Sequence, residues 1–487
     1  MDINKEIIFG TSDSVASRRI TKMEKEGKLK KIAPRIYTSN LLDSAENIVK
    51  RNLFEIIAWR LPDAIISHRS AFSMAPTPSG DLFLTANSSR LIDDIPGVRL
   101  NVMKGAAPLE SDIKLGEMPL YVSSEYRRTL EVLQSSRKKG NESKSLDQSF
   151  VERRMEDMIN AQGEDAVNRF RDEARKIAAE CDMEKEFDKL DKIISALLAT
   201  HTASILTTPS GKAMSAGTPY DEQRAQLFSL LHDTLMGKFF RELLTKNRDE
   251  SSFRLFAFFE SYFSNYIEGT KFEVDEALEI VETGRLMPKR INDSHDILGT
   301  FRIVSNRAEM NIVPETEDDF MSILRRRHVT LMEGRQDLEP GVFKTRANQA
   351  GNTYFVQPHL VEGTLRYGFK LYRSLTDPLA KAIFMMFICS EVHPFNDGNG
   401  RIARIMMNAE LVRAGRTQII VPTVFREDYL LALRRLSRNN DPSVYIRVME
   451  KLQLFSSYIV GDNFEEAFLF LKESDAFEEP ESGRLRF

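Results

Sequence analysis

The sequence is poor in cysteine, in tryptophan and in net charge. Two cysteines, Cys181 and Cys389, and one tryptophan stand in 487 residues. Two thiols build neither a disulfide framework nor a zinc-binding spacing, which fits a reducing cytosol. No apolar run approaches the ~20 residues of a membrane span. The opening Met1-Asp2-Ile3-Asn4-Lys5-Glu6 lacks the apolar core of a signal peptide. The expectation is a cytoplasmic chain without a membrane partner. Lys and Arg number 68 against 72 Asp and Glu, a net charge of −4. Such a balance implies no global attraction to nucleic acid, so any DNA contact must come from a local patch. The remainder is ordinary for a globular protein, 42% hydrophobic and 29% charged, and the length predicts about two to four domains.

The densest chemistry lies between Glu391 and Arg404, in the run Glu-Val-His-Pro-Phe-Asn-Asp-Gly-Asn-Gly-Arg-Ile-Ala-Arg. Apolar helical runs flank it, 382–388 before and 402–409 after. The stretch therefore reads as a loop between two buried helices that opens into the N-terminus of the second. A helix N-terminus presents free N–H groups and a partial positive charge, which suits phosphate. Gly398 and Gly400 permit close backbone approach. Arg401 and Arg404 fall on one helix face and can grip phosphate oxygens. Asp397 is a hard oxygen ligand for a phosphate-bound Mg²⁺. His393 can take a proton from a hydroxyl near neutral pH. Together these parts describe group transfer from a Mg–nucleotide.

His393-x-Phe395-x-Asp397-Gly398-Asn399-Gly400-Arg401-x-x-Arg404 resembles the complete signature of Fic-domain adenylyltransferases. The resemblance implies transfer of AMP from ATP to a Ser, Thr or Tyr hydroxyl of a target protein, with release of pyrophosphate. It makes His393 the base and Asp397 the Mg²⁺ ligand. Gly398, Asn399 and Gly400 become the anion cradle, and Arg401 and Arg404 the ligands of the outer phosphates. The fold it implies is a mainly α-helical Fic fold with a short β-hairpin flap.

Upstream, aromatic and aliphatic residues from 255 to 267 follow helical spacing, and Gly269 is placed to end that helix. Ser264-x-x-x-Glu268-Gly269 resembles the inhibitory motif of the same family. It implies that Glu268 pairs with Arg404 and keeps it from the γ-phosphate. Such competition is physically sound, since one guanidinium cannot serve two anions at once. Residues 341–358 read as a hairpin around a Gly351-Asn352 turn. The resemblance places there the flap that pairs with a target strand, with Thr353, Tyr354, Phe355 and Val356 as the docking edge. It also puts the nucleotide base near the helix from Arg426 to Arg438. Tyr429 is the candidate base contact there, and a core tyrosine is the equal alternative.

The N-terminus is locally basic: Arg18 to Arg35 holds eight Lys/Arg against two Glu. A helix over 14–28 and a hairpin over 29–37 resemble a winged helix–turn–helix, in particular the N-terminal part of AbiEi-type antitoxin regulators. That resemblance puts Arg18, Arg19 and Lys22 toward a DNA groove and Lys30, Lys31 and Arg35 on phosphates. A solvated amphipathic helix is the alternative.

The expected organisation is therefore multidomain. It comprises a winged-helix-like module (1–40), an AbiEi-like α+β region (41–135), a polar linker (136–150) and a helical connector (151–219). A Fic domain with its inhibitory helix (220–461) and an acidic tail (462–487) follow. Within this frame the sequence predicts one helix over 45–61, a polar loop over 207–219 and helix breaks at Pro288 and Gly299. It predicts a solvated basic cluster at Arg325–His328, and a tail that is a terminal helix followed by disorder. Expected partners are ATP, a hydroxyl-bearing target, DNA through the basic module, and a second copy of the chain. Two other functions use the same residues: a DNA-binding regulator whose Fic part senses nucleotide, and an enzyme that removes AMP, with Glu268 orienting water.

Overall fold

The computed structural model describes residues 5–87, 95–138, 142–351 and 353–487. The chain forms two compact units, Met1–Gly217 and Thr218–Phe487. Lys139, Gly140 and Asn141 of the expected linker, and Asn352 of the expected turn, lie outside the described residues. Among the described residues no helix is long and apolar enough to cross a membrane.

The first unit begins β1 (Ile7–Phe9), α1 (Ser14–Lys25), β2 (Lys30–Ala33) and β3 (Ile36–Thr38). The strands form an antiparallel sheet in the order β1-β3-β2. Asp13 caps α1 by accepting from the Val15 amide, and Ile20 packs on Ile8 and Leu29. The expected helix and hairpin are both present, although α1 stops before Gly27, whose φ is +69°. Next come α2 (Ala45–Arg51) and α3 (Leu53–Arg60). The single helix expected here breaks at Asn52, which leaves helical geometry at φ −108° and ψ 17°. Its side chain donates to the Ile48 carbonyl and to Glu6, the local competition that makes asparagine a poor mid-helix residue.

A second sheet follows through β4 (Ala64–Ile66), α4 (His68–Ser73), β5 (Asp81–Ala86), β6 (Arg99–Lys104), β7 (Ile113–Lys114), β8 (Leu120–Val122) and α5 (Glu125–Val132). It is mixed, in the order β6-β5-β4-β8-β7. The unit closes with helices α6 (Gln148–Gln162), α7 (Glu164–Cys181), α8 (Glu184–Leu197) and α9 (Pro209–Ser215). Helix α9 lies inside the stretch expected to be a polar loop. Thr208 caps it at the Gly211 amide, Pro209 starts it, and Glu152 accepts from the Thr207 and Thr208 amides. Polar composition there serves a capped helix start.

The second unit is mainly helical: α10 (Glu222–Met236), α11 (Glu250–Ile267), α12 (Val274–Thr283), α13 (Ile291–Val304), α14 (Arg307–Met310) and α15 (Glu317–Leu331). A short hairpin, β9 (Gln349–Ala350) and β10 (Thr353–Tyr354), precedes α16 (Val361–Tyr372). Then come α17 (Pro378–Val392), α18 (Asn399–Arg413), α19 (Arg426–Asn439), α20 (Pro442–Ser456) and α21 (Phe464–Glu473). Helices α17 and α18 are buried along almost their whole length and form the centre of the core.

Three expectations fail in this unit. Gly299 does not break a helix. It lies inside α13, where a Cβ would sit 2.3 Å from the Leu331 carbonyl, so glycine permits a close approach of two elements. Arg325–His328 is not a solvated cluster, because Arg327 and His328 are buried. The segment after α21 is packed. Phe477 stacks on Phe263 at 5.2 Å, Glu479 accepts from the Tyr266 hydroxyl at 2.8 Å, and Phe487 meets Phe455 at 5.4 Å. Aromatic anchors between the acidic residues dock the tail despite its charge.

Candidate active site

Helix α17 ends where His393 takes a left-handed conformation, φ +53°, and α18 starts from Gly398 at φ +73°. The intervening loop is stapled from within. Asn399 is buried, and its amide both accepts from the Phe395 N–H at 2.9 Å and donates to the Phe395 carbonyl at 2.8 Å. The Asn399 side chain holds the loop. Asn348 adds a donor to the Phe395 carbonyl at 3.0 Å, and the Lys344 amide donates to Pro394.

His393 Nδ1 faces the Ser390 carbonyl at 3.3 Å. A carbonyl only accepts, so Nδ1 carries the proton and Nε2 keeps its lone pair. Phe355 lies flat on the ring at 3.7 Å. Burial, with a smaller push from the Lys344 ammonium, lowers the imidazole pKa to about 4. His393 is therefore a neutral acceptor throughout the physiological range.

The two arginines are held by carboxylates on different helices. Arg401 is buried, with Nη1 3.0 Å from Asp296 Oδ1 on α13, and the other Asp296 oxygen accepts from Arg335 at 2.6 Å. Arg401 Nη2 lies 3.7 Å from Asp397 Oδ2. Arg404 donates through Nη2 to Glu268 at 2.7 Å and to the Ser264 carbonyl at 2.8 Å, and through Nε to Ser264 Oγ at 2.9 Å. The Glu268 carboxylate also presses on the start of α18, where a Cβ at Gly400 would fall 2.1 Å from Oε1. Burial alone would raise the Glu268 pKa. The Arg404 guanidinium outweighs it and holds the group below its ordinary value. Gly269 follows in left-handed geometry, φ +97°.

Asp397 is exposed, and its Oδ1 accepts from the Gly398 amide at 2.7 Å. No group of three His, Cys, Asp or Glu poised for a metal occurs among the described residues. One reachable carboxylate beside a phosphate cradle fits Mg²⁺, which binds through one or two carboxylates plus substrate phosphates and water. It does not fit a cage made by protein alone.

A cavity of about 510 Å³ opens over this floor, lined by Glu268, His393, Gly400, Arg404, Phe355 and Tyr429 among others. Tyr429 is buried, its hydroxyl donates to Met386 Sδ at 3.7 Å, and its side chain lines the cavity wall. The hairpin forms the rim, but its edge is shorter than expected. Only Thr353 and Tyr354 are strand residues. Phe355 covers His393, and the Val356 side chain is core. Arg438 donates to Thr353 Oγ1 at 2.6 Å and Arg224 to the Tyr354 carbonyl at 2.8 Å. Arg224 is in turn held by buried Glu391 at 2.9 Å.

Sequence reasoning missed Asp296, His328, Arg335, Arg224 and Glu391. His328 came nearest to being legible, as the lone imidazole of Arg325–His328. Elsewhere, in the first unit, Arg18, Arg19, Lys22, Lys30, Lys31 and Arg35 are all exposed, the first three on α1 and the others on the hairpin.

The site thus brings a neutral imidazole, the Arg404 guanidinium and the start of α18 at Gly400 into one cavity, with the exposed Asp397 carboxylate on the same loop. Residues 321–411 match the model of the Fic/DOC family. The chain is 25% identical over 195 residues to protein adenylyltransferase fic-1 of Caenorhabditis elegans, covering 39% of this chain and 38% of that protein. It is 27% identical over 241 residues to protein adenylyltransferase Fic of Nematostella vectensis, covering 47% and 52%. It spans about half the length, or less, of these curated relatives. Among solved structures, Fic-1 (residues 134–508) of Caenorhabditis elegans aligns with 67% of this chain and 98% of its own, at 16% identity and a TM-score of 0.38.

Proposed function

We propose that the second unit is a protein adenylyltransferase, moving AMP from ATP to a side-chain hydroxyl of a protein. The observation that carries this reading is the free Nε2 of His393 in the cavity that also holds Gly400 and Arg404. An acceptor hydroxyl entering along the hairpin gives its proton to Nε2 as its oxygen bonds to the α-phosphorus. The bond from that phosphorus to pyrophosphate breaks, and pyrophosphate leaves with its electrons. The amides at the start of α18 and the Arg401 guanidinium face the developing negative charge, where preorganised donors have their largest effect. Asp397 would hold Mg²⁺, which supplies charge neutralisation on the phosphates. Thr353 and Tyr354 offer main-chain pairing to the target, so the acceptor is positioned with little sequence readout.

Glu268 shuts this site at rest by occupying Arg404 and the α18 N-terminus with an internal carboxylate. His393→Ala is expected to abolish transfer of labelled AMP while the circular dichroism of the fold is unchanged; persistent labelling refutes the base. Removal of AMP by the same residues is the other outcome to watch, and mass spectrometry on a pre-modified target reads it.

For the first unit we propose DNA-backbone binding, supported by the six exposed basic side chains of α1 and its hairpin. Charge reversal of Arg18, Arg19 and Lys22 should remove a gel shift seen at low salt, and a wild type that shifts no DNA ends the proposal.

A further inference from the structure

His328 sits three residues from the end of α15 and has no role in the transfer chemistry above, yet it is buried directly beneath the loop. Its ring makes two hydrogen bonds. The Gly341 amide donates to Nδ1 at 2.9 Å, and Nε2 lies 2.9 Å from the Asp397 carbonyl. A backbone N–H only donates and a carbonyl only accepts, so one tautomer satisfies both: Nδ1 bare, Nε2 protonated. The same ring stacks on Phe395 at 3.6 Å with an angle of 5°.

The bond to Asp397 acts on more than a carbonyl. The Asp397 C=O and the Gly398 N–H belong to one planar trans peptide and point to opposite sides of it. Fixing the carbonyl on His328 therefore fixes the direction of the Gly398 N–H. That N–H donates to the Asp397 carboxylate at 2.7 Å. The carboxylate is thus oriented through its own backbone, from a histidine on another helix. Gly398 leaves room for this, since a Cβ there would lie 2.9 Å from Met332 Sδ and 3.4 Å from His328 Nε2.

We propose that His328 is the positioning residue for the Asp397 carboxylate and the Gly398 amide, and so sets how strongly the site couples Mg²⁺ to ATP. This rests on the adenylyltransferase reading given above. A partner shell that orients a metal ligand is worth about 10- to 100-fold in affinity or activity.

The test separates the two ring nitrogens. Glutamine places an amide donor where Nε2 is, and asparagine places an acceptor where Nδ1 is. ATP affinity is measured for the full chain by calorimetry, with Mg²⁺ and with EDTA, alongside the melting temperature. In His328→Asn the gain in affinity that Mg²⁺ confers should shrink about tenfold or more. His328→Gln should keep most of it at a similar melting temperature. Equal losses in both variants that track their melting temperatures, or wild-type gains in both, overturn the proposal. If neither variant folds, ¹⁵N-histidine spectra of the wild type at pH 7 decide: a protonated Nε2 with a bare Nδ1 supports it, and the other tautomer overturns it. A wild type that binds no ATP under either condition refutes the underlying function, whereas wild-type binding with an unaffected His328→Asn refutes only the positioning role.

Discussion

If the second unit transfers AMP as proposed, replacing Glu268 by glycine should raise the rate, and the geometry bounds by how much. Arg404 has three contacts to the end of α11, of which only one is to a charged group, Glu268 at 2.7 Å. The Glu268 side chain is 36% exposed, whereas Arg404 is 5% exposed, so the pair is neither solvent-screened nor sealed. A charge-assisted hydrogen bond in such a setting contributes about 1.5–3 kcal/mol. If Arg404 must leave it to meet the γ-phosphate, the competent population rises by about 10- to 150-fold when it is absent. Ser264→Ala removes a neutral partner at 2.9 Å but leaves the Ser264 carbonyl. Its effect should be smaller, about 2- to 10-fold. Glu268→Gln keeps an acceptor without the charge and should fall between the two. The assay is the initial rate of self-labelling with α-labelled ATP, together with ATP affinity in each variant. Equal rates in wild type and Glu268→Gly at equal ATP affinity would refute the competition. So would a Ser264→Ala effect larger than that of Glu268→Gly.

Two further outcomes follow from titratable groups. With the His393 pKa at about 4, the base form fills as pH rises, so kcat/KM for labelling should be flat from about pH 6 upward and half-maximal near pH 4. Loss of the Glu268 charge, which supports the imidazolium, should move that limb lower still; a midpoint at or above the ordinary imidazole value would contradict the burial argument. Glu260 is buried, accepts from the Gln418 amide at 3.3 Å, and has its pKa raised to about 8, mainly by burial. Its folded pKa exceeds its unfolded one, so its contribution to stability is full below about pH 4.5 and is lost as pH rises through 8. The loss between pH 6 and 9 is about 3 kcal/mol. Glu260→Gln should show a smaller fall in melting temperature than wild type across that interval, and parallel curves would show that Glu260 is not protonated in the fold.

The catalytic loop was legible because its chemistry is contiguous: His393, Asp397, Gly400 and Arg404 follow one another within a dozen residues. Glu268 was legible through the resemblance of Ser264-x-x-x-Glu268-Gly269 to a family motif, since its helix's apolar spacing marks only a helix that ends at a glycine. Their supports were not. Asp296 and His328 reach the loop from helices far away in sequence, and each is one polar residue in an amphipathic pattern, where a solvated position is the ordinary reading. Arg327 and His328 misled for that reason, since two exposed arginines precede them. Asn399 also holds the loop, because both ends of its amide are engaged by the Phe395 backbone, which only coordinates reveal. The tail was misjudged because charge was weighed and Phe477 and Phe487 were not. Short elements such as α9 carry too few residues for periodicity, so their caps are the only signal.

The difference between the two motif arginines follows from burial rather than from charge. Both face a carboxylate, and on pairing alone the two would not differ. Arg401 and Asp296 are each 3% exposed at their side chains. Separating such a pair leaves an uncompensated buried charge, which costs about 3–5 kcal/mol. Asp296 is also engaged by Arg335, so an arriving phosphate would have to disrupt three charged groups to free Arg401. It has no need to, because Nη2 of Arg401 already points toward Asp397. Arg404 differs on each count. Its carboxylate partner is the last residue of a helix end, is one-third exposed, and stands on the cavity floor at Gly400. Solvent or a phosphate can replace it without stranding a charge. Arg401 is therefore a fixed donor and Arg404 an exchangeable one, and the inhibition proposed for Glu268 would act through the second because only its partner can leave.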